Sequence, residues 1–368
     1  MNYKNYIILF IILLLIHLFV VNNIIKEFLF LPKINYFHRF ILILFLIFIS
    51  ISFNLSFIKN SKFYSKIYFI STLYLGFLIH FIIFQIINLI ISLIIKNIFL
   101  NFCFNFFFPF VISIYSYYNS TQIYIEKEIN LKFKDKKFKN TKICHLSDLH
   151  LGCIYQKNFV TNITNIIINN LNPDIIVITG DLCDMSLLPE LNWFDSFKQI
   201  KIPILYITGN HEDRLDKQKL FETISKTNII HLNRENKKNI FKFNDINFIG
   251  FDFDINNNKI IENIKTDLKI VNKESNNNLN IILNHIPILS VNEIKDFDFD
   301  LFLCGHTHGG QGIPLNIITF FGLKLYKGLY SYLNKKFIYV NQGLGTSLFP
   351  MRFLSNSSIS LINVINEK

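Results

Sequence analysis

The first 118 residues are dominated by apolar stretches, at about 6–21, 37–58, 67–95 and 98–118. A helix that crosses a bilayer needs about 20 apolar residues, because the hydrocarbon core is about 30 Å thick and a helix rises about 1.5 Å per residue. These stretches have about that length, and we read four spans. The first stretch has the length of a secretory signal. It lacks a small-residue cleavage site and is followed by further apolar segments, so it is expected to be retained. The third is long for one span, so three and five crossings stand as alternatives to four. The surplus is large enough to mark the whole chain: its 368 residues are 51% hydrophobic, above an ordinary soluble protein.

Orientation follows from lysine and arginine in the short loops. With four spans, one side carries Lys4, Lys59, Lys62 and Lys66, then the run Lys127, Lys132, Lys134, Lys136, Lys137, Lys139 and Lys142. The other carries Lys26, Lys33, Arg39 and Lys96. The excess predicts a multi-pass protein of the cell inner membrane with its C-terminal domain in the cytoplasm. The expected organisation is a transmembrane region at 1–118, a basic juxtamembrane linker at 119–140 and a globular domain at 141–368. The net charge is +11, and membrane lipids are the expected partner of the basic run, each lysine worth about 1 kcal/mol near anionic headgroups. Nucleic acid is the rival for basic charge and is not expected here. Alternation of the lysines with Phe133 and Phe138 also suits a plain surface strand. The five cysteines, Cys103, Cys144, Cys153, Cys183 and Cys304, form no C-x-x-C pair. A disulfide framework or zinc knuckle is not expected, and we read the thiols near the motifs as small buried fillers.

The C-terminal part carries five polar motifs, each after an apolar run that reads as a buried strand. They are Asp148-Leu149-His150, Gly180-Asp181-Leu182-Cys183-Asp184, Gly209-Asn210-His211-Glu212, Asn284-His285, and Gly305-His306-Thr307-His308. Ile175–Thr179 is a continuous β-branched run, the mark of a strand buried on both faces. Glycine at 180, 209 and 305 lets the chain turn sharply at the strand ends. Carboxylate, imidazole and amide groups together suit divalent metals such as Mn, Fe, Zn, Co or Ni, and there are too many for one ion. A helix is expected over Asn158–Leu171, and a loop or weakly ordered insert over the asparagine-rich 255–280. By composition and pattern alone this is a strand-rich α/β domain.

The motifs in this order resemble the calcineurin-like metallophosphoesterases, above all their membrane-attached bacterial subgroup. Ile143–Gly152, Gly305–Gln311 and Gly343–Thr346 are similar to that subgroup's opening and closing segments. The resemblance covers roughly 140–365 and implies a four-layer α/β/β/α sandwich after the N-terminal transmembrane helices. It also implies two divalent metal ions. Asp181 would bridge them, with Asp148, His150 and His308 completing one site and Asn210, His285 and His306 the other. A hydroxide between the ions would attack the phosphorus in line. His211 would contact the phosphate or act as general acid. Asp184 and Glu212 are cast as partners that orient ligands. Arg352 either contacts an anionic substrate or braces the last strands. His145, on the opposite strand parity from Asp148, reads as a core residue or a partner behind the ligands, and His231 as an ordinary surface or strand histidine. His17 and His80 lie within apolar spans, where an ionisable group invites a functional reading and a neutral imidazole packed between helices is the alternative.

The expected protein is thus a membrane-anchored, metal-dependent phosphoester hydrolase. A membrane anchor suits an amphiphilic phosphate or pyrophosphate. Some members of the resembled subgroup cleave the pyrophosphate of UDP-diacylglucosamine, which is the leading specific expectation. One alternative is a phosphodiesterase acting on nucleotides or nucleic acid and tethered only for location. Another is a non-enzymatic membrane protein with a vestigial site, which the intact set of candidate ligands disfavours.

Overall fold

Strands with both faces covered need apolar side chains of both parities, and the C-terminal part of this chain supplies them. The computed structural model describes residues 62–367, apart from 96, 275–276, 290–295, 313–314 and 333–334. These fall into two compact units. One holds the apolar helices up to Tyr117 with Leu348–Met351, the other Tyr118–Ser347 with Arg352–Lys368.

In the first unit α1 spans Lys62–Ser92. It is followed by α2 (Ile98–Phe102), a π-helical turn at Cys103–Phe107, and α3 (Phe108–Thr121). Two stretches, Ser65–Ser92 and Phe99–Thr121, are long and apolar enough to cross a membrane. They correspond to the third and fourth expected spans; the first two, and His17, lie outside the described residues. Polar groups in the helices find each other. His80 Nδ1 lies 2.9 Å from Ser113 Oγ, and Asn88 Nδ2 donates to Asn105 Oδ1 at 2.9 Å. Such pairing satisfies groups that lipid cannot.

The second unit is built on two sheets. The first contains β1 (Ile123–Ile125), β2 (Ile129–Phe133), β3 (Thr141–Leu146), β4 (Ile175–Thr179), β5 (Ile204–Ile207) and β6 (Ile229–His231), with β13 (Ser357–Asn366) from the chain's end. Strands β3 to β6 run parallel, and β13 lies antiparallel to β3. The second holds β7 (Ile240–Phe243), β8 (Ile246–Phe251), β9 (Leu279–Asn284), β10 (Leu301–Cys304), β11 (Gly328–Tyr332) and β12 (Lys336–Val340), in the order β11-β12-β10-β9-β8-β7.

Side-chain parity makes the layers. Ile143, Ile175, Val177, Leu205 and Ile207 meet Phe248, Ile281, Leu283 and Leu303 in a core between the sheets. The alternate residues Cys144, Ile176, Ile178 and Tyr206 pack outward beneath Val160 and Ile163 of α4 (Lys157–Ile166), the 3-10 segment Leu191–Gln199, and Leu220 of α5 (Lys217–Ser225). On the other outer face Ile249, Ile282 and Phe302 pack against α6 (Asn257–Glu274). The result is an α/β/β/α sandwich, and each fully buried aliphatic side chain contributes about 1.5–3 kcal/mol. A short α7 (Leu315–Gly322) follows the last histidine motif.

Two expectations change. The asparagine-rich stretch is not a loose insert: α6 buries Ile260, Ile264, Leu268 and Val271. That spacing places one apolar stripe on a helix, which outweighs the weak helix propensity of asparagine. The basic segment at 119–140 is not a free linker either, because β1 and β2 add to the first sheet along β13. Leu131 and Phe133 turn into the core while Lys132 and Lys134 face out.

Candidate metal centre

All five motifs lie where strands of the two sheets end. Asp148 and His150 follow β3, Asp181 follows β4, Asn210 follows β5, His285 follows β9 and His306 and His308 follow β10. These strands are parallel within their sheets, so their C-terminal ends open on one side, the usual location of sites in α/β sheets. The backbone there is unusual. Asp148, His150, Asp181, His306 and His308 all have positive φ, between 49° and 71°. Such left-handed residues are uncommon outside glycine and collect at functional sites, held by surrounding structure.

The glycines serve closeness as well as turning. Gly180 has φ +86°. Gly305 instead leaves room: a Cβ there would collide with the side chains of Ser147 and Asp148.

The donor atoms converge. His150 Nε2 lies 3.0 Å from His308 Nε2, and His308 Nε2 lies 3.4 Å from Asp148 Oδ1. His285 Nε2 lies 3.1 Å from Asn210 Oδ1, 3.2 Å from His306 Nδ1 and 3.3 Å from Asp181 Oδ2. Asp181 Oδ2 also faces His150 Nε2 at 3.7 Å. Ligand atoms sit about 2.0–2.2 Å from a bound transition metal, so neighbours in one coordination shell are ~3.0–3.5 Å apart. The observed spacings fit such shells. Asp148, His150 and His308 make one group and Asp181, His285 and His306 another, and His150, Asp181 and His211 make a third that joins them.

Hydrogen bonds outside the cluster orient it. His285 Nδ1 donates to the Thr179 carbonyl at 2.8 Å, which turns Nε2 inward, the arrangement found behind metal-ligating imidazoles. Glu212 is wholly buried and accepts backbone N–H bonds from Gly209 (2.7 Å), Cys183 (2.8 Å) and Asp181 (3.1 Å). It ties the second and third motif loops together. Burial, reinforced by the Asp181 charge, raises its carboxyl to about 8. Asp148 accepts from the His306 N–H at 3.0 Å, and Asp181 Oδ1 from the His211 N–H at 2.9 Å.

The charge states favour ligation. Burial pushes His150 and His308 well below the usual imidazole range, aided by neighbouring His211 and by Arg352 respectively, so both present lone pairs. Burial also lowers His306 and His211. For His285 burial is overruled by Asp181, Asp148 and the Thr179 carbonyl, which raise it to about 10. Its Nε2 therefore sits where acceptors already demand a cation. Asp181 is pushed up by burial, but the His285, His211 and His150 imidazoles hold it well below the usual carboxylate range.

The other expected residues fall differently. The His211 ring stands 4.5 Å from that of His150, edge to face, with Nε2 3.8 Å from Asp181 Oδ2. It is only partly buried, at the rim of the cluster. Among the described residues Asp184 bonds to no ligand side chain. Its carboxylate accepts from the Ser186 N–H and packs on Gly152, bracing the loop behind the site. Arg352 is 0% exposed and so is not open to substrate. Its guanidinium donates to the carbonyls of His308 (3.2 Å), Asn356 (3.0 Å), Gly343 (3.1 Å) and Gly345 (2.6 Å). Five hydrogens in a fixed fork suit four carbonyls of a folded loop, and the bracing reading of Arg352 is the one its surroundings carry. His145 is buried, with Nε2 2.8 Å from Thr179 Oγ1. None of the thiols belongs to the Asp/His groups among the described residues, and none of the five is in a disulfide.

Asp252 was not among the expected residues. It closes β8 and receives the Thr208 N–H at 2.8 Å, His231 Nε2 at 2.9 Å and Asn233 Nδ2 at 3.0 Å. It thereby fixes the start of the loop that carries Asn210. The signal was present, since Phe251-Asp252 is one more carboxylate at a strand end. A cavity of about 270 Å³ opens here, lined by Thr208, Lys217, Arg234, Asp252 and Lys259 among others.

Comparison with known proteins agrees with this geometry. Residues 141–310 match the calcineurin-like phosphoesterase family. The chain contains a calcineurin-like metallophosphoesterase domain. An uncharacterized metallophosphoesterase of Helicobacter pylori is 29% identical over 238 residues, covering 63% of this chain and 62% of the relative. A zebrafish (Danio rerio) protein named as a transmembrane protein with metallophosphoesterase domain is 27% identical over 275 residues, covering 68% and 60%. An uncharacterized metallophosphoesterase of Bacillus subtilis is 28% identical over 236 residues, covering 60% and 83%. The chain thus spans about three fifths of the length of the Helicobacter and zebrafish relatives.

Proposed function

We propose that this metallophosphoesterase domain hydrolyses phosphoesters with two divalent ions that share Asp181, and that the chain is anchored in a membrane. The observation that carries the reading is the convergence of inward-facing imidazole, carboxylate and amide atoms at ligand-shell spacing around Asp181. Asp148, His150 and His308 would hold one ion, and Asn210, His285 and His306 the other. Ions bound there supply Lewis acidity toward phosphoryl oxygens and acidify a water. The chain's own residues do the rest. The Thr179 carbonyl keeps His285 in its ligating tautomer. Glu212 fixes the two loops that carry Asp181 and Asn210. His211, at the rim and with its pKa lowered by burial, can approach a phosphoryl oxygen through its ring N–H as a neutral imidazole, and would pass a proton to the leaving oxygen only after taking one up.

The substrate class follows from the anchor. Two helices of membrane-crossing length precede the domain, and the positive-inside bias favours a cytoplasmic site at the inner membrane. An amphiphilic phosphoester or pyrophosphate presented at that surface, with UDP-diacylglucosamine as the specific candidate, would meet the site without leaving the bilayer. The test compares hydrolysis of a lipid-linked pyrophosphate and a soluble diester by the full chain in nanodiscs. The reading expects the lipid to be cleaved at least tenfold faster. Equal rates would remove the amphiphile while leaving the hydrolase intact.

A further inference from the structure

The stretch from His306 to Lys327 leaves the metal centre and returns to it. It begins at the last ligand motif. Gln311 pins its outgoing end: Gln311 Nε2 donates to the Ser347 carbonyl and the Ser347 N–H to Gln311 Oε1, both at 2.8 Å, and the Phe353 N–H donates to the Gln311 carbonyl at 2.7 Å. The returning end is tied to the motif itself, because Thr307 Oγ1 donates to the carbonyl of Tyr326. Between these anchors stands α7 (Leu315–Gly322).

The tip of this excursion is apolar and uncovered. Ile317 is 52% exposed, Phe320 59%, Phe321 82% and Leu323 45%. Among the described residues of the second unit no other stretch so short exposes four large apolar side chains. Loop tips of soluble domains are ordinarily polar, and a clustered apolar surface marks an interaction site. The charge around it has one sign. Residues 306–327 contain no aspartate or glutamate, and Lys324 and Lys327 follow the apolar helix. Lys327 Nζ stands 5.5 Å from the Tyr326 ring, which packs edge to face on Phe320 at 6.0 Å, so base and apolar tip are neighbours. Leu354, 66% exposed, adjoins them through its carbonyl, 3.4 Å from Lys327 Nζ.

Apolar side chains flanked only by lysine are the make-up of elements that settle into the boundary between headgroups and acyl chains of an anionic bilayer. A bilayer lies within reach by covalent connection, since α3, which ends a stretch of membrane-crossing length, stops at Thr121 and β1 begins at Ile123. We infer that α7 and its flanking lysines form a membrane-docking element that seats the rim of the metal centre on an anionic lipid surface. The inference goes beyond the hydrolase reading and does not depend on turnover.

The chain has a single tryptophan, Trp193, which is 4% exposed beneath the first sheet. The full chain carrying Phe321→Trp, reconstituted in bilayers with phosphatidylglycerol, therefore adds one reporter whose emission is isolated by subtracting the parent. Bilayers whose lipids carry bromine high on the acyl chain should quench that added emission at least twofold, and Lys324→Glu with Lys327→Glu should relieve the quenching. Ile317→Trp provides a second reporter should the first variant misfold. Blue-shifted emission that bromine leaves untouched would mean that protein, such as a second copy, covers the patch. Red-shifted, unquenched emission would mean water does. Either result would overturn the inference.

Discussion

Asp181 is 2% exposed, and the imidazoles around it, His285 foremost, hold its carboxyl well below the usual carboxylate range against the effect of burial. Removing that charge takes away the carboxylate turned to both halves of the cluster. Asp181→Asn is expected to lower bound metal and to cut turnover by more than the ~10–100-fold typical of losing an outer partner of a ligand. His211→Ala should instead retain metal and slow turnover by about 10²–10⁴, the span of general acid–base catalysis. Metal analysis alongside kcat separates the two, and an Asp181→Asn variant with full metal content and full rate would refute the ligand assignment. Arg352 is a buried brace for the loop that carries His308. Arg352→Ala leaves several carbonyls without donors, each costing about 1–3 kcal/mol if it stays buried and unpaired, so a large fall in Tm is expected. A rise in KM with Tm unchanged would return Arg352 to the substrate. At this scale the residues that converge in the cluster were legible because each ends an apolar run. Arg352 stood between two roles, because only tertiary packing puts Gly343, Gly345 and His308 carbonyls around one guanidinium.

Strand β2 shows how one element carries two messages. Phe133 is buried and packs edge to face on Phe337 at 5.6 Å and on Phe138 at 6.2 Å. Lys132 is largely exposed and stands 3.8 Å from Glu367. Phe133→Ala should cost about 3–5 kcal/mol, whereas Lys132→Gln should change stability by less than ~1 kcal/mol, as exposed ion pairs do. Chemical denaturation of both variants checks this; equal losses would show that β2 is not held by its inner face. The period of two was visible in the sequence. What the sequence did not show was β13, more than two hundred positions away, waiting to pair with it. Helix α6 was obscured for another reason: frequent asparagine masked a regular apolar stripe at Ile260, Ile264, Leu268 and Val271. The central strand β4 was legible because burial on both faces demands an unbroken apolar run, while β9 carries such a run only over Ile281, Ile282 and Leu283, beside the buried Asn280.

At the scale of the molecule, helices of membrane-crossing length and a metallophosphoesterase sandwich occupy one chain and form separate compact units. In the sequence the apolar excess ends near residue 118. The central claim is that the cluster around Asp181 holds a catalytic pair of ions. Its most direct test is metal stoichiometry and turnover of a chromogenic phosphodiester by the full chain, before and after chelation and re-addition of Mn. The account predicts about two ions per chain, loss of both metal and turnover on chelation, and recovery of both with Mn. Turnover that persists in the chelated, metal-free protein would contradict it.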